Sequence, residues 1–153
     1  MACGTKFTKG MIIPVDALLP PVVFQWNPAT IKYSRAARWH ALGAAGNNEP
    51  YLQYTCGHNH TVRFTIDVSR ENNSDFFVRG FAADLVSLAD VSSSGSNIER
   101  PPKIVFVSGV SLHIFGIIDK VDVDYGLLSN PETLLPYGAK INVVILRLHP
   151  GQS

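Results

Sequence analysis

Cysteine is scarce in this chain. Cys3 and Cys56 are the only two among 153 residues, too few for a disulfide framework, and a reducing compartment keeps them as thiols. Net charge is equally scarce. Thirteen basic and 12 acidic side chains leave +1, so no broad cationic face is available to hold a phosphate backbone by counterion release, and no sequence-specific nucleic-acid binding is expected. No apolar run reaches the about 18 residues that a membrane-spanning helix needs, and Met1 to Gly10 lacks the basic-then-apolar layout of a signal peptide. These absences place synthesis and folding in a cytoplasm, where the sequons at Asn59 and Asn72 carry no glycan. No internal repeat is visible.

What is present is apolar patterning. With 46% hydrophobic and 16% charged residues the chain suits one globular domain with a real core. Only Ser74 to Asp90 reads as an amphipathic helix: Phe77, Phe81, Leu85 and Leu88 recur at helical spacing, widened by Phe76, Val78 and Ala82. Ser74 suits an N-cap and Asp75 the first turn, while Gly80 weakens the middle. The rest is strand-like. Residues 22–26, 31–39, 61–68, 103–107, 112–125 and 140–148 are predicted strands, with loops at 43–50, 92–97 and 126–138. In 61–68, Val62, Phe64, Ile66 and Val68 face one way and Thr61, Arg63, Thr65 and Asp67 the other. In 112–125 a bend or bulge is expected at Gly116, with Val121, Val123 and Tyr125 inward and Lys120, Asp122 and Asp124 outward. The last strand offers apolar side chains to both faces. Residues 1–21, broken by Pro14 and Pro20-Pro21, read as an extended N-terminal arm, barred from a helix or a central strand, and 150–153 as a short tail. Many short strands with one helix make a mainly β antiparallel barrel or sandwich the expected architecture.

Candidate chemistry is thin. Cys56, His58 and His60 would share one face of an extended chain and are all zinc-ligand types, but Gly57 and Asn59 favour a turn that scatters them, so no metal is expected. Asp119, Asp122 and Asp124 before Gly126 miss the calcium-loop spacing, with Thr133 where the closing glutamate belongs. No G-x-S-x-G elbow is present, and Gly43-Ala44-Ala45-Gly46 lacks the lysine of a phosphate-binding loop. No catalytic residue and no cofactor is therefore expected, and the protein is not read as an enzyme. Trp26, Tyr33, Trp39, Tyr51 and Tyr54 are read as core and cross-strand pairs rather than as a ligand platform.

Phe24-Gln25-Trp26-Asn27-Pro28, followed by Ile31, Ser34 and Trp39, resembles the opening of the contractile injection system tube-protein family. Similar landmarks follow in the same order: the Tyr54 to Gly57 turn, the strand Val62 to Val68, the single helix, Pro101-Pro102-Lys103-Ile104-Val105-Phe106, Phe115-Gly116-Ile117-Ile118 and the strand from Lys140. The resemblance covers about residues 22–149 and implies a tail-tube-like β-barrel there. It also implies a hexameric ring in the baseplate hub of a contractile phage tail or tailocin, an initiator or adaptor linking the central spike to the tail tube. Tube and spike proteins are the implied partners, the virion is the implied location, and Lys120, Asp122 and Asp124 are the candidates for the lumen wall. Many family members carry a cell-wall-binding LysM module, for which this chain leaves no room, so cell-wall binding is not expected. The alternative reading is a monomeric β-barrel ligand-binding module.

Overall fold

A computed structural model describes residues 9–15, 19–69, 77–90, 101–109, 112–128 and 136–149. In chain order they form β1 (Met11–Pro14), β2 (Val22–Val23), β3 (Ile31–Ser34), β4 (Ala37–Leu42), β5 (Tyr51–Gly57), β6 (Thr61–Ser69), α1 (Phe77–Ser87), β7 (Ile104–Ser108), β8 (Leu112–Leu128) and β9 (Pro136–Arg147). Among the described residues the protein is mainly β, with one helix and two antiparallel sheets. The larger sheet has the order β2-β1-β7-β8-β9-β6-β3, and β4 and β5 form a separate two-stranded ribbon.

The large sheet is strongly curled. Phe64 on β6 and Phe106 on β7 stack with ring centroids 4.4 Å apart, although β8 and β9 lie between their strands. In a flat sheet three strand spacings would hold them about 14 Å apart. Phe24, just past β2, touches both rings at 5.8 and 6.0 Å. Beside it the Gln25 side-chain oxygen accepts a bond from the Ser69 amide at the end of β6, 2.9 Å away. Side chains thus bridge the opening, but no backbone ladder joins the two edge strands, β2 and β3, and the expected barrel is not closed. The reason is local. Pro20-Pro21 and Asn27-Pro28 bracket β2, which is only two residues long, and proline has no N–H to donate to a longer ladder.

One core fills the concave side. Val62, Phe64, Ile66 and Val68 are all buried, as their alternation predicts, together with Ile104, Phe106, Ile141, Val143 and Ile145. Against them α1 presents Val78, Phe81, Ala82 and Leu85, and Leu88 follows in the turn after the helix. The helix packs on β9, β8 and β2. The expected cap at Ser74 and Asp75, and Phe76, lie outside the described residues. Regular helix ends at Ser87 rather than Asp90. The amides of Leu88, Ala89 and Asp90 bond to carbonyls three residues back, which tightens the last turn.

Gly80 is exposed in mid-helix, and a Cβ added there meets nothing within 4 Å. Gly80→Ala should therefore stabilise the fold by about 0.5–1 kcal/mol, because alanine loses less backbone freedom on entering a helix. An unchanged or lowered urea midpoint would contradict this.

Three expectations about strands are corrected. The bulge in β8 lies between Ile118 and Lys120, not at Gly116. Gly116 instead marks a close approach, since a Cβ there would sit 2.2 Å from the Leu146 carbonyl oxygen. Residues 126–138 are not one loop: β8 continues to Leu128 and β9 begins at Pro136. Within the N-terminal arm, Met11–Pro14 lies inside the sheet between β2 and β7. Its proline is tolerated because β2 pairs only with Met11 and Ile12, so that on that side Pro14 lies at an edge where no ladder bond needs its donor. The rest of the arm that falls in 1–8 and 16–18, and the loop at 92–97, are outside the described residues, as are 150–153 of the tail. No helix among the described residues is long and apolar enough to cross a membrane.

Candidate functional site

The bulge decides which side chains leave the core. Before it, Ile114 and Ile118 are buried; after it the alternation changes phase, so Val121 and Val123 pack against the core while Lys120, Asp122 and Asp124 are exposed. The extra residue, Asp119, re-aims the second half of β8. Tyr125 departs from its expected inward place. It shares the face of Val123 but lies past the end of the core, and 49% of it is exposed.

Register then assembles a polar face. Across β6, β9 and β8 lie the rows Arg63, Val144, Lys120, then Thr65, Asn142, Asp122, then Asp67, Lys140, Asp124. Lys32 of β3 extends the first row beside Arg63. Thr65 donates a hydroxyl bond to the Asn142 side-chain oxygen at 2.7 Å, and Lys120 pairs with Asp122 at 3.1 Å. That pair is largely exposed, so its worth is below about 1 kcal/mol. With Asp119, which shares a hollow with Arg63, Lys120 and Asp122, the face carries four cations and four carboxylates. It is mixed in charge rather than acidic, which removes the argument that a negative wall selects Asp122 and Asp124 for a lumen. The outward alternation of 61–68 was readable in the chain; its alignment with Lys120, Asp122 and Asp124 was not, because it depends on β9 being inserted between them.

The tryptophans and the tyrosines at 33, 51 and 54 do not belong to the core. Trp26, Tyr33, Trp39, Tyr51 and Tyr54 are each at least half exposed, contrary to the core expectation, although Trp39 and Tyr54 do form a cross-strand pair, edge to face at 5.4 Å. The reason lies in topology: Trp39, Tyr51 and Tyr54 sit on the β4–β5 ribbon, every residue of which is exposed. Trp26 lines a different feature, an open cleft of about 680 Å³ with Val68, Asp124, Tyr125, Tyr137 and Lys140. Sequence reasoning missed this cleft. Tyr125 and Tyr137 flank the 129–135 segment, and only the β8–β9 pairing brings them to one end of the sheet.

Cys56 is exposed at the end of β5, paired with Arg38 across the ribbon. His58 lies in the following link, its amide bonded to the Ala36 carbonyl at 2.8 Å. His60 is half-buried against Tyr33, with ring centroids 5.1 Å apart, and its Nδ1 is buried with no hydrogen-bond partner. Among the described residues no three His, Cys, Asp or Glu side chains are grouped to hold a metal ion. Asp119, Asp122 and Asp124 occupy an extended strand, not a cation-wrapping loop. No protein-family model matches the chain, and no curated protein is recognisably similar to it in sequence.

Proposed function

We propose that this chain is a ring-forming structural subunit of a contractile tail or related injection device, an adaptor or tube initiator between the central spike and the tail tube. The observation that carries the reading is the β4–β5 ribbon. All of its residues are exposed, including Trp39, Leu42, Tyr51, Leu52 and Tyr54, and it makes no pairing with the main sheet. A lone two-stranded ribbon is marginally stable in water, and an exposed apolar patch of this kind marks an interaction surface. Among the described residues the curled sheet also ends in two unpaired edges, β2 and β3, which can continue into neighbouring subunits as a strand-to-strand contact. Such a contact between different surfaces of identical copies makes a ring when the rotation per subunit closes and a filament when it does not, and the ring is the form proposed. In that ring, of six copies, the tail-tube-like barrel is completed between subunits, and the polar face bearing Lys120, Asp122 and Asp124 is the lumen wall. The resemblance over about 22–149 supplies the hub and tail context. No residue is assigned a catalytic role.

A monomeric ligand-binding module is the second reading, favoured by the aromatic cleft at Trp26, Tyr125 and Tyr137. Solution mass separates the two. The expected result is a discrete assembly near six copies by light scattering, and in an assembled particle Asp122 and Asp124 lining a central pore. A stable monomer at high concentration, making no contact with tube or spike proteins in its particle, would sink the ring reading.

A further inference from the structure

Five basic side chains converge at the root of the ribbon with no acid among them. Arg35, His58, His60, Arg147 and His149 line a notch of about 380 Å³. Arg35 stands on the short link between β3 and β4, His58 and His60 on the link between β5 and β6, and Arg147 and His149 at the end of β9. Backbone bonds fix these segments to one another: the His58 amide reaches the Ala36 carbonyl and the Arg147 amide the His60 carbonyl, both at 2.8 Å. Among the described residues no carboxylate pairs with either guanidinium, and Arg147 has only the Tyr33 hydroxyl, 3.3 Å from its Nη1. The remaining lining is neutral, including the Tyr54 ring and Leu148. Two permanently charged groups held in a concave site with no counter-charge among the described residues concentrate a positive field there.

We propose that this notch docks an acidic polypeptide segment, whose carboxylates sit between Arg35 and Arg147 in forked, charge-assisted hydrogen bonds. The imidazole N–H groups and the Asn59 amide supply further donors, and Tyr54 and Leu148 receive the segment's apolar parts. A phosphate backbone fits less well. It requires a track of cations, whereas the neighbouring sheet face alternates in sign and the whole chain carries only +1. The inference does not depend on the ring reading.

The test uses the full chain and a fluorescein-labelled hexaglutamate, read by anisotropy at low salt. Binding is expected to weaken at least about fivefold in Arg35→Gln and again in Arg147→Gln, as removal of a charge-assisted contact requires, while Lys120→Gln on the sheet face leaves it unchanged. Arg35 is exposed on a link, so its variant decides the matter even if the Arg147 variant is misfolded by circular dichroism. Absence of binding, an equal loss in Lys120→Gln, or a thymidine oligonucleotide that binds more tightly through the same arginines would each overturn the proposal.

Discussion

Phe106→Ala should lower the unfolding free energy by about 3–5 kcal/mol, the range for emptying a fully buried aromatic site. Phe106 is completely buried, stacked on Phe64 and in contact with Phe24. It therefore ties β7 to β6 across the curl and both to the segment beyond β2, so the space it leaves is walled by three parts of the chain that cannot all relax inward. Phe106→Leu keeps much of the volume and should lose less. Equilibrium urea unfolding monitored by circular dichroism gives the number. A loss below about 1 kcal/mol would mean that the aromatic cluster does not hold the curl, since it is far under the range for emptying a core phenylalanine site.

Gly116→Ala is the second large effect, and its cause is the reverse, too much matter rather than too little. The new Cβ would lie 2.2 Å from the Leu146 carbonyl oxygen and 3.0 Å from its carbon. These are backbone atoms, so no rotamer change relieves the clash. Gly116 is paired with Ile104 on one side and Arg147 on the other, and moving it disturbs two ladders. A destabilisation of roughly 3 kcal/mol, the upper end for overpacking, is expected. If the variant melts with the native protein, β8 and β9 are not as close at this point as described. Gly80→Ala, a methyl group added to open space, is the natural control of opposite sign.

What could be read from the chain was whatever depends on near neighbours. The period-two run from Val62 to Val68 and the helical spacing of Phe77, Phe81 and Leu85 each express one buried face, and both elements form with those faces in the core. Lys120, Asp122 and Asp124 likewise point outward. What failed depended on distant parts. Trp39, Tyr51 and Tyr54 have the composition of core residues, but nothing local reveals that their ribbon pairs only with itself. Tyr125 continues the alternation of Val121 and Val123 past the point where the core ends. The bulge at Asp119 has no compositional mark, because its signal is the switch in buried phase between Ile118 and Val121, and Gly116 nearby offered a more familiar explanation. The notch around Arg35 and Arg147 combines residues from three chain segments and could be assembled only in space.

The strand order has a consequence for synthesis. β9 is the last of the described elements, yet it lies between β8 and β6 in the middle of the sheet. Without it, β3 and β6 would make one half and β2, β1, β7 and β8 another, since among the described residues no ladder joins the two. Each half then presents a bare apolar face and an open edge, the state in which strand proteins stick to one another. A chain cut before Pro136 is therefore expected to lack any ladder between the two half-sheets, because the pairing of β9 with both β8 and β6 is what makes the wall continuous.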